Sequence, residues 1–321
     1  MKSAYIAVGY QCTHHCMICP LTTYDRLHGK LPYESIMNNI ENAKLSVGDH
    51  VTISGGEPTL SPFFPDLIRE LLARRLRITV LSNGHSFTDS AMVANLANIT
   101  NGQAFNVVIA VHSSRAALHD TITGTPGSFV ESLLAIHMLL NSGIPVTIKH
   151  IISKMTVSGL PELADMIIQE FKPTAEVQFT SMDYSGQAAK NAEQLKVTFP
   201  EVRPFLDNAL NRLLYQSKMP YRVSMIEMPM CACSPKFWNL FHATSQSNIY
   251  LAPNAQTNSK MITDLPNQCS AKYPPCEGCD LRWHCPGTWQ SAYHLMGPAL
   301  LTPVKCEYQH SDNLKKEDVT R

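Results

Sequence analysis

Three cysteines fall close together near the start of the chain, in Cys12-Thr-His-His-Cys16-Met-Ile-Cys19. Cysteine ligates iron or zinc as the thiolate, and three so near in sequence can converge on one metal centre. A closed structural site needs a fourth ligand, whereas three protein ligands leave one coordination position open for chemistry. The next cysteine along the chain is Cys231. Two other readings fit the same spacing. His14 or His15 could complete a zinc site, or the thiols could be ordinary buried groups packing as small hydrophobes.

A second stretch, Ser54-Gly55-Gly56-Glu57-Pro58, follows a short β-like run, His50–Ile53. Two glycines let a backbone approach a ligand closely, and a carboxylate follows at once. Ser82-Asn83-Gly84 and His112-Ser113 also follow apolar runs. These stretches need elements to position them. Strand candidates are Tyr5–Val8, His50–Ile53, Ile78–Ser82, Asn106–Val111, Val146–Ile152 and Glu176–Thr180. Between them lie the helical patterns Tyr33–Leu45, Asp66–Arg75, Asp89–Ala97, Phe129–Asn141 and Leu160–Phe171. In Phe129–Asn141 the apolar positions recur with helical spacing, Ser128 is placed to cap it, and Gly143 lies just past its end. Alternating β and α units imply a parallel sheet with right-handed crossovers. Parallel barrels carry their chemistry at the carboxyl ends of their strands, so all four turns would meet at one mouth.

Cys-x-x-x-Cys-x-x-Cys after the first strand, with Gly-Gly-Glu-Pro after the second, resembles the radical S-adenosylmethionine (SAM) superfamily over roughly residues 5–180. The resemblance implies a partial (β/α)6 TIM-like barrel. It implies a [4Fe-4S] cluster on Cys12, Cys16 and Cys19, with SAM at the open iron. It also implies SAM contacts from Gly55, Gly56, Glu57 and Pro58, from Ser82 and Asn83, and from Ser113. The residue before the last cysteine is usually aromatic in the family and is Ile18 here. The stretch from His119 to Phe129, read as a loop and helix cap, resembles one common in peptide-modifying members. Ser185-Gly186-Gln187-Ala188 resembles a Gly-Arg-Ala stretch after the sixth strand, with Gln187 in place of arginine.

Pro200–Gln216 reads as a helix closing the barrel. Beyond Pro220 the composition changes, and seven of the ten cysteines lie between 231 and 306. The domains are expected at 1–218 and 219–321. Cys276-x-x-Cys279-x5-Cys285, followed by Cys306, offers four thiolates, enough for tetrahedral zinc or a four-iron cluster. The set resembles the cysteine-rich SPASM or twitch extension of radical SAM enzymes, which implies an auxiliary [4Fe-4S] cluster on those four residues. Two ligands of a second auxiliary cluster are missing, at Trp289 and near Lys260. Cys231, Cys233 and Cys269 are then left over as structural thiols, ligands of an unusual second cluster, or donors of a hydrogen atom to a substrate radical.

The chain has 321 residues with 26 basic and 26 acidic side chains, so no excess charge marks a nucleic-acid surface. It has no apolar run long enough to span a membrane and no signal-peptide core, so a cytoplasmic protein is expected. Cysteines in that compartment favour metal ligation over disulfides. The resemblance implies a 5′-deoxyadenosyl radical that abstracts hydrogen from a substrate. The substrate is expected to be a ribosomally made peptide undergoing crosslinking, thioether formation or epimerisation. The alternative is dehydrogenation or epimerisation of a small alcohol such as an aminoglycoside-like intermediate. A zinc scaffold with two thiolate sites is a third reading, and it leaves Gly55–Pro58 and the barrel pattern unexplained. Expected partners are the substrate and an electron donor such as flavodoxin or ferredoxin. Because the barrel starts near residue 5, a separate leader-peptide recognition protein is also expected; nucleic acid and membrane are not.

Overall fold

The computed structural model describes residues 2–22, 32–171, 173–241, 249–252, 260–262 and 271–305. Its centre is an open sheet in the order β7-β6-β5-β4-β3-β2-β1-β8-β9. Strands β1 (Ser3–Ala7), β2 (His50–Ser54), β3 (Arg77–Ser82), β4 (Phe105–Ala110), β5 (Val146–Ile151), β6 (Glu176–Thr180) and β7 (Arg222–Ile226) run parallel in chain order. Strand β8 (Ile249–Ala252) pairs parallel on the free side of β1, and β9 (Lys260–Ile262) pairs antiparallel with β8. Ordered parallel strands with helical crossovers that do not close into a ring make the partial TIM-like barrel expected from the sequence.

The strands form because their side chains alternate. Ile6, Ile53, Val80, Val107 and Val146 make one cross-strand row, all buried in the main hydrophobic cluster. The opposite face carries Thr52, Thr79 and Asn106 in one row; Asn106 Nδ2 donates to Thr147 Oγ1 at 3.0 Å. Helices α1 (Tyr33–Asn42), α2 (Phe64–Ala73), α3 (Ser90–Thr100), α4 (Ala116–Thr123), α5 (Ser128–Asn141), α6 (Leu160–Glu170), α7 (Gly186–Lys190) and α8 (Phe199–Asn211) lie between the strands, and α9 (Gln290–Met296) follows β9. Leu67, Ile68 and Leu71 of α2 and Ile136 and Leu139 of α5 enter the same core.

The six expected strands are present, with ends shifted by up to two residues. Four features differ. Strand β7 comes after the composition change near 219, so the sheet continues into the segment where cysteines begin to accumulate. The stretch from 119 is no loop at its start, because α4 runs through Thr123 and ends at Gly124 with φ 62°. Ser128 does not cap α5; Gly127 holds the cap position and Ser128 is the first helical residue. The helix read as Pro200–Gln216 starts at Phe199, capped by Thr198 and Glu201, and ends at Asn211, with a wider turn over Arg212–Gln216.

The capping of α5 falls to Asp120. Its Oδ1 accepts from Phe129 N at 2.9 Å and Ser128 Oγ at 3.0 Å, and its Oδ2 accepts from Gly127 N at 2.7 Å. One carboxylate thus closes α4 onto α5. Asp120→Ala is expected to cost about 1–2 kcal/mol, the usual value of a lost helix cap. Urea unfolding would show it as a lower midpoint with unchanged slope.

Candidate active site

The cysteine loop leaves β1 at the carboxyl edge of the sheet, and the backbone holds it from several sides. Val8 N donates to Ser54 O at 3.0 Å, Gly56 N to Gly9 O at 2.8 Å and Glu57 N to Gln11 O at 2.7 Å. These bonds lay the loop along the turn after β2. They also explain the glycine pair. A Cβ on Gly55 would stand 2.0 Å from Gly9 O, and one on Gly56 2.1 Å from Gln11 O. The sequence showed that a backbone must come close here; the structure shows that it is the cysteine loop's own.

On its second side the loop meets the end of α4, where His15 N donates to Thr123 O and Met17 N to Ile122 O, both at 2.9 Å. A Cβ on Gly124 would stand 2.7 Å from His15 O. On the third side, Gln187 N and Ala188 N, at the start of α7, donate to Cys19 O at 2.9 and 3.1 Å. Asn191 Nδ2 reaches Met17 O at 3.2 Å. Gly186 lies against Pro20, where a Cβ would approach Pro20 O to 2.2 Å. The Ser185–Ala188 stretch therefore braces the loop, and Ile18 is buried in the core beneath it.

Glu57 ties the turns together. It is buried, with Oε1 accepting from Ser82 Oγ at 2.9 Å and from Thr59 Oγ1 and N at 2.6 and 3.2 Å, while Oε2 accepts from Asn83 N at 2.7 Å. Burial pushes its carboxyl up, and these hydrogen bonds oppose that rise. Asn83 Nδ2 in turn donates to Thr13 Oγ1 at 2.9 Å and lies 3.7 Å from Cys12 Sγ. The turns after β1, β2 and β3 are thus one connected polar unit. Ser113, after β4, is buried and accepts from Arg115 N at 3.0 Å. The four turns expected at one mouth all lie at the carboxyl ends of adjacent parallel strands. Pro58 begins a short helical turn, Pro58–Leu60, whose N-cap is Glu57. Sequence reasoning missed Thr13, Thr59 and Asn191. Only Thr59 carried a local signal, since a carboxylate two residues earlier can accept from its amide.

Cys12, Cys16 and Cys19 are partly exposed, and none is in a disulfide. Among the described residues no three of His, Cys, Asp and Glu are drawn together tightly enough for a single metal ion. The donor set, three soft thiolates on a braced loop, fits a [4Fe-4S] group.

Buried histidines sit under this edge of the sheet. His112 N donates to His119 Nδ1 at 3.2 Å, and the two rings lie 5.4 Å apart. His150 Nδ1 donates to Val111 O at 2.9 Å. Burial lowers His112 well below the usual imidazole range and lowers His119 and His150 to about 4. Folded His150 therefore stays neutral, while the unfolded chain takes up its proton near pH 6.5. Below that value the unfolded state binds more protons, so stability falls as the pH drops from about 6.5 toward 4. The expected loss at His150 is about 3 kcal/mol. In a melting series across that window, His150→Asn should flatten the pH dependence.

In the C-terminal part Cys276, Cys279 and Cys285 are partly buried. Cys279 Sγ accepts from Val304 N at 3.4 Å, and Cys285 Sγ from Met230 N and Gly287 N at 3.3 and 3.4 Å. Cys306 and Cys269 lie outside the described residues. Cys233 is buried in the core near Asp207 and Arg203, and burial pushes its thiol up to about 12. Burial does the same to Cys231, with Cys285, Cys276 and Cys279 adding to the rise. Cys233 is cut off from solvent, whereas Cys231 is partly exposed and faces other sulfurs. Among the described residues no helix is long and apolar enough to cross a membrane.

A family model described as Radical SAM superfamily matches residues 6–167. Fe-coproporphyrin III synthase of Methanosarcina barkeri (strain Fusaro / DSM 804) is 24% identical over 225 residues, 68% of this chain and 53% of that protein. Mycofactocin maturase MftC of Mycobacterium tuberculosis is 27% identical over 158 residues, 49% of this chain and 39% of its own length. This chain thus spans about half or less of these relatives. Among solved structures, Streptococcus suis SuiB superposes with a TM-score of 0.56 at 16% identity, covering 70% of this chain and 49% of that one. SuiB has also been solved with S-adenosylmethionine and with its precursor peptide SuiA.

Proposed function

This chain belongs to the radical SAM superfamily, and we propose on that footing that it modifies a ribosomally made peptide by hydrogen abstraction. Cys12, Cys16 and Cys19 would hold three irons of a [4Fe-4S] cluster. Bound there, such a group would supply the single electron that cleaves SAM reductively, the chemistry from which hydrogen abstraction from the substrate would follow. The chain's own contribution is position. The loop is fixed by backbone bonds to Gly9, Gln11, Thr123 and Cys19 carbonyls or from their neighbours. Glu57 holds Ser82 and Asn83 against the turn after β2. Gly55, Gly56, Glu57, Pro58, Ser82, Asn83 and Ser113 would face SAM from this edge. The carrying observation is the three-thiol loop braced at the carboxyl ends of β1, β2, β3 and β4.

Cys276, Cys279 and Cys285, with Cys306 by resemblance, would hold an auxiliary [4Fe-4S] cluster of SPASM or twitch type in the 219–321 segment. An electron carrier such as flavodoxin or ferredoxin would reduce the protein in the cytoplasm, with a separate leader-peptide recognition protein presenting the substrate. The peptide reading is supported by the maturase relative and by the fold shared with a protein solved on its precursor peptide. A second reading, a small-molecule substrate, is favoured by the Methanosarcina relative, whose name specifies a porphyrin. The test is anaerobic incubation of reduced protein and SAM with short peptides encoded beside its gene. Peptide maturation requires 5′-deoxyadenosine together with a changed peptide mass or stereochemistry. Radical formation with every peptide unchanged, and a small alcohol or porphyrin converted instead, would sink that reading.

A further inference from the structure

The end of the barrel and the C-terminal cysteines share one cavity. A small cavity of about 20 Å³, partly open to solvent, lies between Pro229–Cys231 just past β7 and the segment from Ala271 to Val304. Four sulfurs line it: Cys231, Cys276, Cys279 and Cys285. Much of the remaining wall is apolar, including Pro229, Leu281 and Leu301. Three of the sulfurs accept backbone N–H bonds. Thr302 donates to Cys231, Val304 to Cys279, and Met230 and Gly287 to Cys285. The bonds cross the cavity in both directions, from beside Cys231 to Cys285 and from beside Cys279's partner back to Cys231. Amide N–H groups aimed at sulfur stabilise thiolates and tune the potential of an iron–sulfur group.

The wall carries four cysteines, and a four-iron cluster takes one thiolate at each of four separated corners. The Cys-x-Cys pair splits here, because the helical turn Met230–Ala232 directs Cys231 to the cavity while Cys233 enters the core. We propose that Cys231 is the fourth thiolate ligand of the auxiliary cluster on Cys276, Cys279 and Cys285. The inference rests on the reading that those three cysteines hold a cluster. It gives the barrel's exit strand a direct bond to that cluster, and it moves the role expected for Cys306 to Cys231. A cluster with four protein thiolates has no free iron for a substrate thiolate, so it would serve electron transfer.

The test uses full-length protein, reconstituted anaerobically, in which Cys12→Ala/Cys16→Ala/Cys19→Ala has removed the N-terminal site. That background should keep about four irons per chain. Adding Cys231→Ala should empty the site or leave a three-iron cluster. Adding Cys231→Ser should retain iron with a shifted electron paramagnetic resonance (EPR) signal, and this separates a lost ligand from a lost fold. Adding Cys306→Ala should change neither. Full iron with an unaltered signal in either Cys231 variant overturns the assignment, as does loss of iron in Cys306→Ala with retention in Cys231→Ala. A background that binds no iron removes the auxiliary cluster itself, and the inference falls with the reading it rests on.

Discussion

Cys12→Ala/Cys16→Ala/Cys19→Ala is expected to lose about four irons per chain and all release of 5′-deoxyadenosine from SAM, with the fold intact. The loss is large because these three thiolates are the whole protein donor set proposed for the N-terminal cluster. The fold should survive because backbone bonds hold the loop, with Cys12 Sγ adding an acceptor for His14 N at 3.4 Å. Its path is set by Gly56 N to Gly9 O, Glu57 N to Gln11 O and Met17 N to Ile122 O, none of which involves a thiol. Iron analysis, product chromatography and circular dichroism check the three parts. Unchanged iron in the variant would place the cluster elsewhere.

Gly56→Ala is the second large effect. Its new Cβ would stand 2.1 Å from Gln11 O and 2.5 Å from Tyr10 O, both backbone atoms that no side-chain rotation can move. The turn after β2 and the cysteine loop must separate, which breaks the bonds from Gly56 N and Glu57 N. Overpacking of this kind costs about 1–3 kcal/mol. The functional loss should exceed the stability loss, because a shifted loop no longer presents three thiolates in register. The variant should fold at a lower melting temperature and load little iron. Gly159→Ala is the control, since nothing lies within 4 Å of its Cβ. Normal iron loading in Gly56→Ala would mean that the close approach is unimportant.

Six strands could be read because each is a short run rich in branched apolar residues, as in Asn106-Val-Val-Ile-Ala-Val. Strand β7, Arg222-Val-Ser-Met-Ile, is a similar run, but it lies in a stretch whose changed composition suggested a new domain. The cysteine loop and the Gly-Gly-Glu-Pro turn were visible as chemistry; their contact was not. Backbone bonds such as Gln187 N to Cys19 O join residues far apart in sequence and leave no mark on side-chain identity. Asp120 was missed as a cap because it serves a helix that starts eight residues later, beyond the local spacing of cap signals. Cys231 could not be grouped with Cys276 from spacing, since their proximity depends on how the chain folds between them.

The most direct test of an open iron on the first cysteine loop is a SAM titration of Cys276→Ala/Cys279→Ala/Cys285→Ala, which keeps only the N-terminal site. Its reduced EPR signal should shift as SAM is added, because a ligand joins an iron that carries no protein thiolate. A signal that SAM leaves untouched, or a site loaded with zinc in place of iron, would contradict the three-thiolate centre.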